Sequence, residues 1–191
     1  MSGTMMLFLI LLPFAVFTSL MLVASSPISL FAAAAVASTI VLYDVISGRS
    51  LKILPVGSSV VFAAIGLYTT LVDPHVSPMA IRIAVDSGIL AITLGSLVIG
   101  LPFTIQYARE VVDAETAALP GFLRVNNILT LAWAGAAVLM LISNLLITYW
   151  PSLSLWFGVG IAFAARNSAA YFTHWYPQHH RAKMKRAATP I

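Results

Sequence analysis

The chain has 191 residues, of which 60% are apolar and only 8% charged; that length sets one or at most two compact units. Water-soluble domains run about half apolar and about a quarter charged, so a soluble enzyme is excluded: there are too few charged side chains to cover such a fold. The pI near 9.7 reflects ten Lys and Arg against six Asp and Glu. Basic cytoplasmic loops of a membrane protein produce that balance without any nucleic-acid partner, and the absence of cysteine removes disulfides and thiolate metal sites.

Six apolar runs close to the length of a bilayer span predict an all-α, polytopic helical bundle. The first covers residues 5–23, with Pro13 in its middle. It has no basic flank of the secretory-signal kind and is long enough to span, so it reads as a retained helix. The turn Ser25-Ser26-Pro27 joins it to the second run, residues 28–46. The third covers residues 54–72, with Pro55 in its first turn, where proline is tolerated. The fourth covers residues 83–105, the fifth 127–149 and the sixth 153–171, the last two joined by Trp150-Pro151-Ser152. The runs are continuous rather than alternating, which selects helices over a barrel. Residues 1–175 read as one transmembrane domain and 176–191 as a short basic cytoplasmic tail that faces lipid headgroups.

Charge fixes the expected orientation. With the N-terminus inside, Arg49, Lys52, Arg109, Arg124, Arg181, Lys183, Lys185 and Arg186 fall on the cytoplasmic side and Arg82 outside, a strong positive-inside bias. Both termini are therefore expected in the cytoplasm of a bacterial inner membrane. The longest cytoplasmic linker mixes Arg109 with Glu110, Asp113 and Glu115, so it is no plain polybasic strip. Its first half is expected to prolong helix four along the interface, and Pro120-Gly121 to break the chain before span five.

Polar residues inside the spans carry the functional reading. Arg166 continues the four-residue step Gly158, Ala162, Ala170 and should point into the bundle. An arginine there costs roughly 2.5–3.5 kcal/mol and needs a partner. Asp44, near the cytoplasmic end of span two, is the expected one. Gln106, Asn126, Asn127 and Asn167 would complete a cytoplasmic-side layer, with Arg109 and Glu110 at its mouth. That layer reads as a structural pin, or alternatively as a cavity for an ion, headgroup or small solute. Arg82 and Asp86, four apart, read as a surface pair, and Asn144 as an interhelical hydrogen bond. The small-residue series Ser87, Ala91, Gly95, then Gly158, Ala162, and Gly160, Ala164, Ser168 read as bundle interior, with a homodimer face as the alternative. His174, His179 and His180 surround Trp175 and Tyr176 and read as an interface belt rather than a metal site. No nucleotide loop, metalloprotease helix or catalytic triad order is present, so neither catalysis nor a cofactor is expected.

In the second half, Leu131-Ala132-Trp133-Ala134, Asn144, Ile147 and Trp150, with Asn127 ahead of them, resemble the corresponding helix of the intracellular septation protein A family of bacterial inner-membrane proteins. The stretch from Pro102 to Glu110 and Leu12-Pro13-Phe14 in the first span also look like that family, whereas the acidic residues Asp113 and Glu115 and the His-rich tail depart from it. The resemblance implies a non-catalytic role in cell-envelope maintenance and septation, through contacts with lipids and with elongation and division proteins. It carries no catalytic residue over. The rival expectation is a small-solute or ion transporter or channel, built as a homo-oligomer around a cytoplasm-facing cavity at Arg166.

Overall fold

The computed structural model describes residues 3–150 and 152–188; for residues 3–8, 155 and 180–188 it describes backbone alone. The chain forms eight helices and no strand among these residues: α1 (Gly3–Leu20), α2 (Ser26–Ile46), α3 (Ile53–Leu71), α4 (Pro78–Val98), α5 (Phe103–Ala108), α6 (Ala114–Ala118), α7 (Pro120–Tyr149) and α8 (Leu155–Ala188). Four of them, α2, α3, α4 and α7, are long and apolar enough to cross a membrane. The 21 residues of α2 rise about 31 Å at 1.5 Å per residue, the thickness of a hydrocarbon core. In α1 the part described with its side chains, Leu9–Leu20, is apolar as well.

Local chemistry sets the helix ends. Pro27, Pro78 and Pro120 occupy first-turn positions, where a missing N–H removes no helical bond. Ser77 Oγ accepts from the Ala80 N–H at 3.2 Å and caps α4. Gly100 ends the same helix. Its φ of 73° is left-handed, and the Leu101 N–H turns back to the Ser96 carbonyl at 3.0 Å, a closure that glycine permits. Pro102 follows and cannot rejoin the helix. The fourth span therefore stops at Val98 instead of running to residue 105, and residues 103–108 form a separate helix. At the other boundaries α7 starts at Pro120, ahead of the expected residue 127, and α8 continues past residue 171 through Pro177 to Ala188.

Helices adjacent in sequence pack together: α1 on α2, α2 on α3, α3 on α4, α4 on α7 and α7 on α8. Phe62 of α3 is fully buried at the centre of a cluster with Phe14, Phe17, Leu30, Ala33, Ile81 and Val85. Its ring lies 5.7 Å from Phe14 and 5.3 Å from Phe17. Close packing of this kind is what holds helices together in lipid. Gly158 shows the requirement most directly, because a Cβ there would strike the Ile147 side chain of α7. The other small-residue series behave differently. Ser87, Ala91 and Gly95, and likewise Gly160, Ala164 and Ser168, are exposed on the outside of the chain, so the expectation that they fill the interior is corrected.

Exposed Tyr and Trp side chains of α7 and α8 stand at two levels. Tyr149, Trp150 and Trp156 surround the α7–α8 turn, while Tyr171 and Trp175 lie about midway along α8. Nineteen helical positions separate Trp156 from Trp175, about 28 Å of rise.

Candidate functional site

Two groups of charged side chains sit inside the bundle. The first lies where α2 hands over to α3. Asp44 is buried on the last turns of α2, and Gly48, with φ 66°, reverses the chain so that Lys52 comes back over it. Lys52 Nζ is 2.8 Å from Asp44 Oδ2 and 2.8 Å from Glu110 Oε1. Arg49 Nη1 stands 3.8 Å from Asp44 Oδ1, with its guanidinium 5.2 Å from the Tyr43 ring centre. The Lys52 side chain is 3% exposed and that of Asp44 5%. An isolated ammonium at that depth would cost several kcal/mol; here two carboxylates face it, and with Arg49 the four charges sum to zero.

The second carboxylate arrives on α5, a short helix wedged into this end of the bundle. Phe103, Thr104, Ile105 and Tyr107 are all buried. Thr104 Oγ1 donates to the Asn126 carbonyl at 2.8 Å and meets Thr130 Oγ1 at 2.9 Å, which docks α5 on α7. The Phe103 N–H donates to Ser96 Oγ at 3.1 Å. Gln106 Oε1 accepts from the Ile53 N–H at 2.8 Å, occupying one of the free donors at the start of α3. Tyr107 lies beneath Lys52, whose Nζ is 5.5 Å from the ring centre. Burial, reinforced by the Asp44 and Glu110 carboxylates, pushes the Tyr107 phenol well above its ordinary range. The result is a clamp tying the α2–α3 connection to the segment that follows α4.

The second group lies deeper. Asp86 is the ninth residue of α4, about 12 Å along the helix. Its Oδ2 accepts from Asn144 Nδ2 of α7 at 2.6 Å. Arg166 of α8 extends toward it, with its guanidinium carbon 6.0 Å from the Phe14 ring centre. Asp86 and Arg166 together line two adjoining cavities. One, of about 40 Å³, reaches Leu54, Thr93, Phe103 and Trp133. The other, of about 60 Å³, reaches Arg82, Asn144, Ile147 and Gly158. Trp133 Nε1 donates to Thr173 Oγ1 at 3.0 Å and pins α7 to α8 beside the first cavity.

The single layer expected from sequence thus divides in two. Asp44, Gln106 and Glu110 do come together at one end of the bundle. Arg166 does not join them: Lys52 and Arg49 occupy the Asp44 carboxylate, and Arg166 shares its cavities with Asp86. Both Arg166 and Asp86 sit well inside their helices, so they face the same cavities mid-bundle. Arg82 and Asp86 are correspondingly no surface pair. The inward direction of Arg166 and the interhelical bond of Asn144 are as expected. Arg109 is exposed beside the clamp, and Asn167 is exposed, with its amide donating to the Phe163 carbonyl of its own helix at 2.7 Å. Asn127 is half-buried, while Asn126 is the buried neighbour, donating from Nδ2 to the Phe122 carbonyl at 2.9 Å. Sequence reasoning missed Lys52 and Tyr107. The available signal for Lys52 was its place directly ahead of the apolar run that starts α3 and eight residues beyond Asp44. In the histidine segment, the His179 ring stacks on Trp175 at 4.8 Å; the His180 side chain lies outside the described residues. Among the described residues no group of three or more His, Asp or Glu stands where it could hold a metal ion.

Fold and site define an all-helical protein with apolar helices suited to a membrane and charged groups held between them. Compared with family models, with curated proteins and with solved structures, the chain matches none.

Proposed function

We propose that the chain is a six-span protein of a bacterial inner membrane, with both termini cytoplasmic, that acts by contact with lipids and envelope proteins rather than by covalent chemistry. The observation that carries this reading is an interior of paired charges and small cavities. Charges at the Lys52 clamp are paired with one another, α5 fills the end of the bundle, and the two cavities measure only about 40 and 60 Å³, against roughly 300–1,000 Å³ for a ligand pocket. The 28 Å aromatic spacing along α8 supports its counting as a span, and the cations Arg49, Lys52 and Arg109 at one end support that end as the cytoplasmic one. The septation-family resemblance supports a role in cell-envelope maintenance and division. In this reading the clamp presents exposed Arg109 and Val111 on a rigid platform at the membrane surface.

The transporter or channel reading rests on the polar lining around Arg166, and it requires a continuous path through the closed end. The deciding experiment purifies the wild-type protein and Arg109→Ala and Val111→Asp variants in mild detergent and identifies what accompanies each. The expected outcome is a defined set of envelope proteins on the wild type that both variants lose while remaining folded. An identical set on all three overturns the contact reading, and solute flux through vesicles of the purified wild type would replace it with transport.

A further inference from the structure

Arg166 is a cation placed between helices with no hydrogen-bond acceptor or contact ion pair among the described residues. Its guanidinium offers five N–H donors, yet among the described residues none accepts a hydrogen bond or forms a contact ion pair with it. Asp86 lines the same cavities without touching it, its Oδ2 held instead by Asn144. The Phe14 ring covers one side of the guanidinium. A charged group at this depth normally faces a partner or a polar cavity.

The charge balance around the larger cavity is uneven. Arg82 and Arg166 contribute two cations and Asp86 one anion. The remaining walls come from Phe14, Phe17 and Thr18 of α1, Val85 of α4, Met140, Asn144 and Ile147 of α7, and Gly158, Val159 and Ala162 of α8. One negative charge would neutralise the pocket and give the guanidinium an acceptor. Size and wall chemistry then choose the ligand. The cavity, about 60 Å³ and partly open to the outside, admits a halide or a small planar anion. Apolar walls penalise a dianion more steeply than a monovalent, weakly hydrated ion.

We propose that the Arg82–Asp86–Arg166 pocket binds one small monovalent anion of the chloride or formate kind, with Arg166 as the direct ligand, Arg82 as supporting charge and Asp86 as the neighbour that holds the affinity down. The site requires no transport and stands independently of the contact role above. The test is titration calorimetry of the full chain in nanodiscs with sodium chloride and sodium formate, against a gluconate background and with sodium sulfate as the control. Saturable chloride or formate binding at one site, without sulfate binding, is expected. Arg166→Gln should abolish it and Arg166→Lys retain it. Asp86→Asn, which keeps the shape and can still bond Asn144, should tighten it by about tenfold by removing a like charge, and Arg82→Gln should weaken it several-fold. If Arg166→Gln fails to fold, Asp86→Asn and the wild type still decide. No saturable binding of chloride or formate, equal affinity in wild type and Asp86→Asn, saturable sulfate binding, or undiminished binding in Arg166→Gln overturns the proposal.

Discussion

The Lys52 clamp and the Arg166 pocket pose one physical problem, a cation between apolar helices, and the molecule answers it in two ways. At the clamp, two carboxylates close on Lys52 at 2.8 Å each and the side chain is almost fully enclosed. In the pocket, Asp86 faces Arg166 across cavity space and is bonded to Asn144 instead. A saturated ion cluster joins segments that are distant in sequence, and its members cannot be removed singly without leaving a buried charge. An unsaturated one leaves a donor set facing open volume, which is how a binding site differs from a staple.

Substitutions should expose that difference, most strongly at the clamp. Lys52→Ala leaves Asp44 with only Arg49 at 3.8 Å and the half-buried Glu110 without its cation, and should cost about 3–5 kcal/mol, measured by reversible unfolding in micelles; a loss below about 1 kcal/mol would show that the three charges are not coupled. In the pocket, Asn144→Ala strips the amide from the Asp86 carboxylate and should cost about 1.5–3 kcal/mol, less than the clamp because cavity water can substitute. Tyr107 sharpens the clamp through pH. Its phenol keeps its proton in the folded state above the ordinary value near 10, while the unfolded chain releases it there. The unfolded state then binds fewer protons, so stability is full below about pH 10 and falls above it by up to about 1.4 kcal/mol per pH unit. Unfolding of wild type and Tyr107→Phe between pH 9 and 11 should show the steeper decline in the wild type. The smallest effect belongs to Arg166→Gln, which removes a cation that has no contact partner among the described residues. A change within about 1 kcal/mol in either direction is expected, and a loss as large as that of Lys52→Ala would erase the distinction between the two regions.

Much of this was legible in the residues. Continuous apolar runs announced α2, α3, α4 and α7, and the proline and glycine at residues 100, 102 and 120 marked real helix ends, although a hydropathy average across Gly100 and Pro102 runs straight through the break. Asp44, Gln106 and Glu110 were grouped correctly because all three lie close to the same end of their helices. The errors came from rotation and depth. Each helical residue turns about 100° from the last, so of the two neighbours expected in the layer Asn126 faces inward and Asn127 only partly. Reckoning Arg166 from the end of its run brought it level with Asp44, whereas the true starts of α4 and α8 bring it to Asp86.

Composition and hydropathy alone determined the helical class, the approximate place of the apolar helices and the inward face of Arg166, because each is a property of a single segment and its 3.6-residue period. Which cation meets which carboxylate was decided only by the assembled bundle. Pairing depends on how neighbouring helices are rotated, where each begins and what the re-entrant α5 carries between them, and those quantities come into existence only when the segments pack.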